Sequence, residues 1–175
     1  AFQVVSIATT TGFLTANYSN WPLFVPILLL LTAFIGACAG STGGGIKVVR
    51  TLVLAKQSAG EITKLIHPNA VISIKLGKKA VSSRVAESVW GFFSIYVIVF
   101  IMLFLFLLAQ GNDFITSFSA VGATLNNLGP GLGEVSNNYQ SLSDYSKLGL
   151  CMAMLLGRLE IFTLLVLFTP AFWRK

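Results

Sequence analysis

Charge is what this sequence has least of. Asp, Glu, Lys and Arg together make up 10% of its 175 residues, 55% are hydrophobic, and the mean hydropathy is +0.81. A soluble domain usually carries about 25% charged residues, so a water-facing shell is excluded and the implied solvent is lipid. Cysteine is nearly absent: Cys38 and Cys151 each stand in an apolar stretch with no second Cys or His nearby. That spacing excludes a metal site or a disulfide framework and predicts two buried thiols. The one histidine, in His67-Pro68-Asn69, reads as a turn residue and not as a ligand. An initiator Met and a signal-peptide pattern are also lacking, and the chain opens at Ala1-Phe2-Gln3. A fragment or a partly observed chain is expected.

The charges that are present are segregated. Eight of the twelve basic residues (Lys47, Arg50, Lys56, Lys64, Lys75, Lys78, Lys79 and Arg84) lie between positions 47 and 84, against the single acid Glu61. From Gly111 to Lys147 the balance reverses, with Asp113, Glu134 and Asp144 against Lys147. A basic cluster suggests nucleic acid. Here membrane-length apolar segments flank it on both sides, which makes it a cytoplasmic basic loop under the positive-inside rule, and no nucleic-acid partner is expected. Lys75, Lys78 and Lys79 are read as solvated charge, with anionic lipid or a cytosolic partner as the alternative.

Three apolar segments approach the ~20 residues a spanning helix needs: Trp21–Ala39 and Val89–Ala109, both free of charge, and Leu148–Trp173, which contains Arg158 and Glu160. Charge bias runs the first inward, the second outward and the third back to Arg174-Lys175. Two shorter apolar pieces, Ala1–Ala8 and Phe114–Thr124, cannot cross; both lie on the outer side, and Asn112 and Asp113 are natural N-caps for the second. A piece that enters and leaves on one side must line a cavity or be buried in protein.

These parts repeat. With Gly12 placed on Gly129, an offset of 117, Ala8-Thr9-Thr10-Thr11-Gly12-Phe13 falls on Leu125-Asn126-Asn127-Leu128-Gly129-Pro130, and Gly40 falls on Gly157. The unit is half-helix, Thr/Asn-x-Gly turn, spanning helix. A cation crossing a bilayer must exchange its water shell for other oxygens, which a ring of backbone carbonyls can supply. Such a turn needs Gly where the backbone takes dihedrals closed to other residues. Thr10-Thr11-Gly12-Phe13 has this form; Asn127-Leu128-Gly129-Pro130-Gly131 keeps the glycines but replaces Thr by Asn and the aromatic by Pro. An ordinary external turn is the alternative. Each half-helix would also aim the negative end of its dipole at the turn.

Gly36-Ala37-Cys38-Ala39-Gly40-Ser41-Thr42-Gly43-Gly44-Gly45 follows the first span. A phosphate loop requires Gly-Lys-Ser/Thr after a strand; here Ile46 separates Gly45 from Lys47, Val48 follows, and a membrane helix precedes, so that reading fails. Gly36 and Gly40 fit helix packing. The functional alternative is that Gly40–Gly45 breaks the helix beneath the turn and forms a movable loop, since each Gly costs a helix about 1 kcal/mol relative to Ala. Arg158 lies too deep to reach the interface easily, where an Arg costs about 2.5–3.5 kcal/mol on insertion scales. Glu160, two positions on, does not share its helix face. Arg158 is expected to face the axis below the turns and bond the Gly40–Gly45 carbonyls as a positive barrier; a structural Arg bonded to neighbouring helices is the alternative.

Taken together, these segments make the chain resemble the Trk-type potassium uptake transporters of bacteria, in the Trk/Ktr/HKT superfamily, at their membrane subunit. The resemblance is carried by Ser6-Ile7-Ala8-Thr9-Thr10-Thr11-Gly12-Phe13, by Ala39-Gly40-Ser41-Thr42-Gly43-Gly44-Gly45-Ile46-Lys47, by Thr124-Leu125-Asn126-Asn127-Leu128-Gly129-Pro130-Gly131 and by Gly157-Arg158-Leu159-Glu160-Ile161-Phe162. It implies an all-α membrane protein of four helix–pore-loop–helix units around one pore, of which this chain holds about one and a half: 1–56 (third unit, partial), 57–86 (cytoplasmic basic loop) and 87–175 (fourth unit). It implies potassium-binding carbonyls from Thr10, Thr11, Gly12, Asn127, Leu128 and Gly129, and a gate made by Gly40, Ser41, Thr42, Gly43, Gly44 and Gly45 with Arg158. It further implies no enzymatic activity, no cofactor beyond the transported K+, a homodimer in the bacterial inner membrane with 47–84 and the C-terminus cytoplasmic, and a TrkA-like cytosolic nucleotide-binding regulatory subunit. The rival readings are a sodium- or proton-coupled symporter of the same fold, the translocating subunit of an ATP-driven pump with Arg158 holding an anionic substrate, and a non-transporting assembly subunit whose glycines only pack.

Overall fold

The structure is a computed structural model describing residues 1–16, 18, 21–22, 24–36, 38, 40, 43–70, 74–77, 79–159 and 161–173. Its helices are α1 (Phe2–Ala8), α2 (Phe24–Ile35), α3 (Val48–Ile66), α4 (Ser83–Ala109), α5 (Phe114–Leu125), α6 (Asp144–Arg158), α7 (Ile161–Phe168) and α8 (Pro170–Trp173). A two-residue antiparallel hairpin, β1 (Lys75–Leu76) with β2 (Lys79–Ala80), joins α3 to α4.

Helix α5 is the hub. Asp113 caps it, its Oδ2 accepting from the Ile115 amide at 3.2 Å, as the Asn-Asp pair predicts. From Ser119 to Leu125 every residue is buried, because α2, α4 and α6 all pack on it. Ile7, Leu29, Leu30 and Ala33 reach it from α1 and α2, Leu107 and Leu150 from α4 and α6, and Phe92 and Tyr96 from the N-terminal half of α4. A helix buried on all sides carries its polar side chains at no penalty only if they bond locally. The Ser119 hydroxyl accepts from the Leu132 amide at 2.8 Å, and Thr124 Oγ1 donates to the Ala120 carbonyl at 2.7 Å. The first of these bonds ties the chain beyond the glycine turn back onto the half-helix.

Helix α4 is the opposite case. Its 27 residues include an 18-residue window of mean hydropathy 2.9, of which 22% is buried. Ile98, Ile101, Met102 and Leu105 lie exposed along it. A soluble core helix buries such residues; one that turns them outward suits lipid. The same logic corrects the expectation for cysteine. Cys38 and Cys151 are exposed, because in a chain solvated by hydrocarbon an apolar neighbourhood does not signal burial.

Among the described residues α4 alone has spanning length and hydropathy. The other two expected spans are interrupted. Helix α2 stops at Ile35, where Gly36 takes φ +73°. The segment 148–173 is divided into α6, α7 and α8, with the first break just after Arg158. A guanidinium at the carboxyl end of a helix meets freed carbonyls and the negative end of the dipole, a cheaper setting than mid-helix in hydrocarbon. The basic segment is mostly helical. Helix α3 runs through residue 56 unbroken, ends at His67, and turns there, the Ala70 amide bonding the His67 carbonyl at 2.9 Å.

Candidate functional site: two glycine turns and the cavity beneath them

The turns that follow α1 and α5 have one backbone conformation. Thr10 and Gly12 take φ +54° and +82°; Asn127 and Gly129, 117 positions on, take +54° and +102°. Their hydrogen bonds correspond residue for residue. The amides of Thr11 and Gly12 bond the Ser6 carbonyl at 2.8 and 3.4 Å, and those of Leu128 and Gly129 bond the Ala123 carbonyl at 2.8 and 3.5 Å. The Thr10 amide bonds the Ile7 carbonyl at 3.1 Å, and the Asn127 amide the Thr124 carbonyl at 3.0 Å. Donors of the turn thus face back into the half-helix, capping its carbonyl end. The residues that a low-identity repeat aligned only as pattern are equivalent in geometry.

The two turns also meet. A Cβ added to Gly12 would strike the Leu128 carbonyl oxygen and approach the Pro130 ring at 3.3 Å. Gly12, Phe13, Gly129 and Pro130 line one open groove of about 330 Å³ together with Asn137 and Tyr139. Two tyrosines that sequence reasoning passed over hold the arrangement. The Tyr139 hydroxyl donates to the Gly129 carbonyl at 2.6 Å, and the Tyr18 hydroxyl donates across the units to the Gly131 carbonyl at 3.0 Å. Burial pushes the Tyr18 phenol up to about 12; burial first, and then the neighbouring Tyr18, drive that of Tyr139 up further still. Both remain neutral donors at any physiological pH. The available signal was an Asn-Tyr pair in the polar stretch after each turn, Asn17-Tyr18 and Asn138-Tyr139.

A second cavity of about 250 Å³ is lined by Gly43, Gly45, Tyr96, Gly157 and Arg158 among others. Arg158 therefore lines the same cavity as Gly43 and Gly45. Gly44 is buried against the end of α5, where a Cβ would strike the Asn126 carbonyl. Gly40 is exposed, and a Cβ added there would meet nothing within 4 Å. Ser41 and Thr42 lie outside the described residues. Gly157, aligned by the repeat with Gly40, does different work: it lets α6 lie directly on the Leu125 carbonyl.

The two turns thus meet on one groove, and Arg158 lines a separate cavity with Gly43 and Gly45. The family profile described as TrkH, "Cation transport protein", matches residues 1–175. The chain is 59% identical over 174 residues to the Trk system potassium uptake protein TrkH of Escherichia coli K12, covering 99% of this chain and 36% of that protein. It is 44% identical to TrkG of the same strain over the same length. The crystal structure of the potassium transporter TrkH from Vibrio parahaemolyticus superposes with a TM-score of 0.91 at 57% identity, covering 99% of this chain and 37% of that one. The chain thus spans little more than a third of the relatives it matches.

Proposed function

The chain belongs to the TrkH family of cation transport proteins, and on that premise we propose that it contributes about one and a half of the pore-loop units through which potassium is taken up across the bacterial inner membrane. One observation carries the reading: the turns at Thr10–Gly12 and Asn127–Gly129 share their dihedrals and hydrogen bonds and sit side by side on one groove. With the amides turned back into the half-helices, the carbonyls of Thr10, Thr11, Gly12, Asn127, Leu128 and Gly129 are what each turn has to offer an ion. The Gly129 oxygen keeps a lone pair for that purpose while Tyr139 occupies the other. Gly43, Gly44 and Gly45, with Gly40, Ser41 and Thr42, form the gate, and Arg158 is the positive barrier beneath it.

The transported K+ is the ligand; no cofactor and no enzymatic step are proposed. The basic segment 47–84 and the C-terminus face the cytoplasm, where a nucleotide-binding regulatory subunit of the TrkA kind docks, and the transporter works as a homodimer in lipid. The test is K+ and Na+ flux from the full-length protein in liposomes. The wild type is expected to prefer K+, and Gly12→Ser or Gly129→Ser to lower that preference. Loss of assembly with selectivity intact in the surviving protein would mean that the glycines only pack. Arg158→Ala is expected to raise flux; an unchanged rate would remove the barrier role.

A further inference from the structure

The carboxyl end of α5, the glycine stretch and the N-terminal half of α4 meet at one side chain, Asn126, which is wholly buried. Tyr96, 4% exposed and on α4, donates its hydroxyl to Asn126 Oδ1 at 2.7 Å. Two elements of the glycine stretch press on the same residue. A Cβ on Gly44 would strike the Asn126 carbonyl oxygen, and one on Gly45 would come within 3.3 Å of Oδ1. Gly45 holds φ +85°, and the Ile46 amide is bonded to the Phe34 carbonyl at 3.0 Å, so the stretch is folded back under the end of α2 at this point. Phe34 packs edge-on against the Tyr96 ring, with centroids 6.4 Å apart.

The amide is only half used. Asn126 Nδ2 is buried and has no hydrogen-bond partner among the described residues. A buried donor without an acceptor is strained in free energy and gains one as soon as a neighbouring carbonyl moves into reach. The equivalent position in the other unit shows no such reserve: Thr9 Oγ1 donates back to the Val5 carbonyl of its own helix at 2.7 Å. The asymmetry falls on the unit whose half-helix the glycine stretch touches.

We infer that Tyr96 and Asn126 form a latch that holds the glycine stretch in the conduction path, Tyr96 fixing the Asn126 amide against Gly44 and Gly45. Both are positioning residues. They do not touch the ion; they set how much of the time the stretch lies beneath the turns. The inference rests on the proposed potassium pathway and extends it.

The test uses the full-length protein in liposomes, reading K+ flux and the K+/Na+ ratio for the wild type, Tyr96→Phe, Gly44→Ala and the double variant, each checked for a monodisperse profile in detergent. Tyr96→Phe removes the hydroxyl and keeps the ring contacts; Gly44→Ala puts a methyl where the Asn126 carbonyl stands. Each is expected to raise K+ flux, Tyr96→Phe by about two- to tenfold, the worth of one net hydrogen bond, with the ratio unchanged. The double variant is expected to exceed the larger single effect by less than twofold, because both release the same contact. Wild-type flux in the monodisperse single variants, multiplying effects in the double, or a lowered K+/Na+ ratio would each overturn the latch. Should Tyr96→Phe aggregate, Gly44→Ala decides by itself: raised flux at constant ratio supports the latch and unchanged flux overturns it. A wild type that shows no potassium preference would sink the function reading; a selective wild type with indifferent variants sinks the latch alone.

Discussion

At the scale of single residues, two phenols and two glycines decide the outer site. Tyr139 and Tyr18 donate to the carbonyls of Gly129 and Gly131, so the second turn is fixed by two donors that lose their protons only in strong alkali. The Tyr18 phenol is raised from 10.0 to about 12. A group whose folded value lies above its unfolded value stabilises fully below the unfolded one and loses that contribution as pH climbs through the folded one. Thermal unfolding of the full-length protein in detergent is therefore expected to be flat from pH 7 to 9 and to weaken between about pH 10 and 12. Tyr18→Phe should shrink that alkaline loss, and an unaltered profile would show that burial of Tyr18 does not matter to the fold. Tyr139→Phe should lower stability by about 0.5–1.5 kcal/mol, the net worth of one hydrogen bond, read in the same melts at neutral pH.

At the scale of elements, the informative glycine is Gly157. In a helix, Gly→Ala normally stabilises by about 1 kcal/mol. At Gly157 the added Cβ would strike the Leu125 carbonyl and come within 2.7 Å of Asn127 Nδ2, so packing of α6 on α5 opposes propensity. Gly157→Ala is expected to destabilise, and the sign of the change in melting temperature checks it directly; stabilisation would mean that α6 can move off α5 freely. The 117-residue offset places Gly157 on Gly40. The structure separates them, because a helix that continues to Arg158 needs a bare surface there, whereas Gly40 lies in a stretch that has already left its helix. Helix α2 shows the same limit on reading. An uncharged run of 19 residues looked like a span, yet hydropathy does not register that Gly36 turns the chain at the end of Ile35.

At the scale of the whole molecule, apolar residues face outward from α4 and polar ones are sealed inside α5, the inverse of a soluble domain. Ile98, near the middle of α4, is 55% exposed. Ile98→Arg is expected to cost about 2.5–3.5 kcal/mol of membrane insertion, seen as loss of full-length protein from the folded membrane fraction. On a water-facing helix the same change would be close to neutral, so wild-type yield would contradict a lipid-facing α4.

Local chemistry was enough to announce the half-helix at Phe114, capped by Asp113, the two glycine turns and their 117-residue repeat, and a long lipid-facing helix, since each depends on residues adjacent in sequence or on composition alone. What depended on tertiary structure is everything that joins distant segments. Gly12 lies on Leu128, Gly44 on Asn126, Tyr18 reaches Gly131, and Tyr96 reaches Asn126. No periodicity encodes such contacts, because they arise from how α5 is enclosed by its neighbours. For the same reason the two cysteines were misread: burial is a property of the packed molecule in its solvent, and apolar neighbours along the chain indicate it only when that solvent is water.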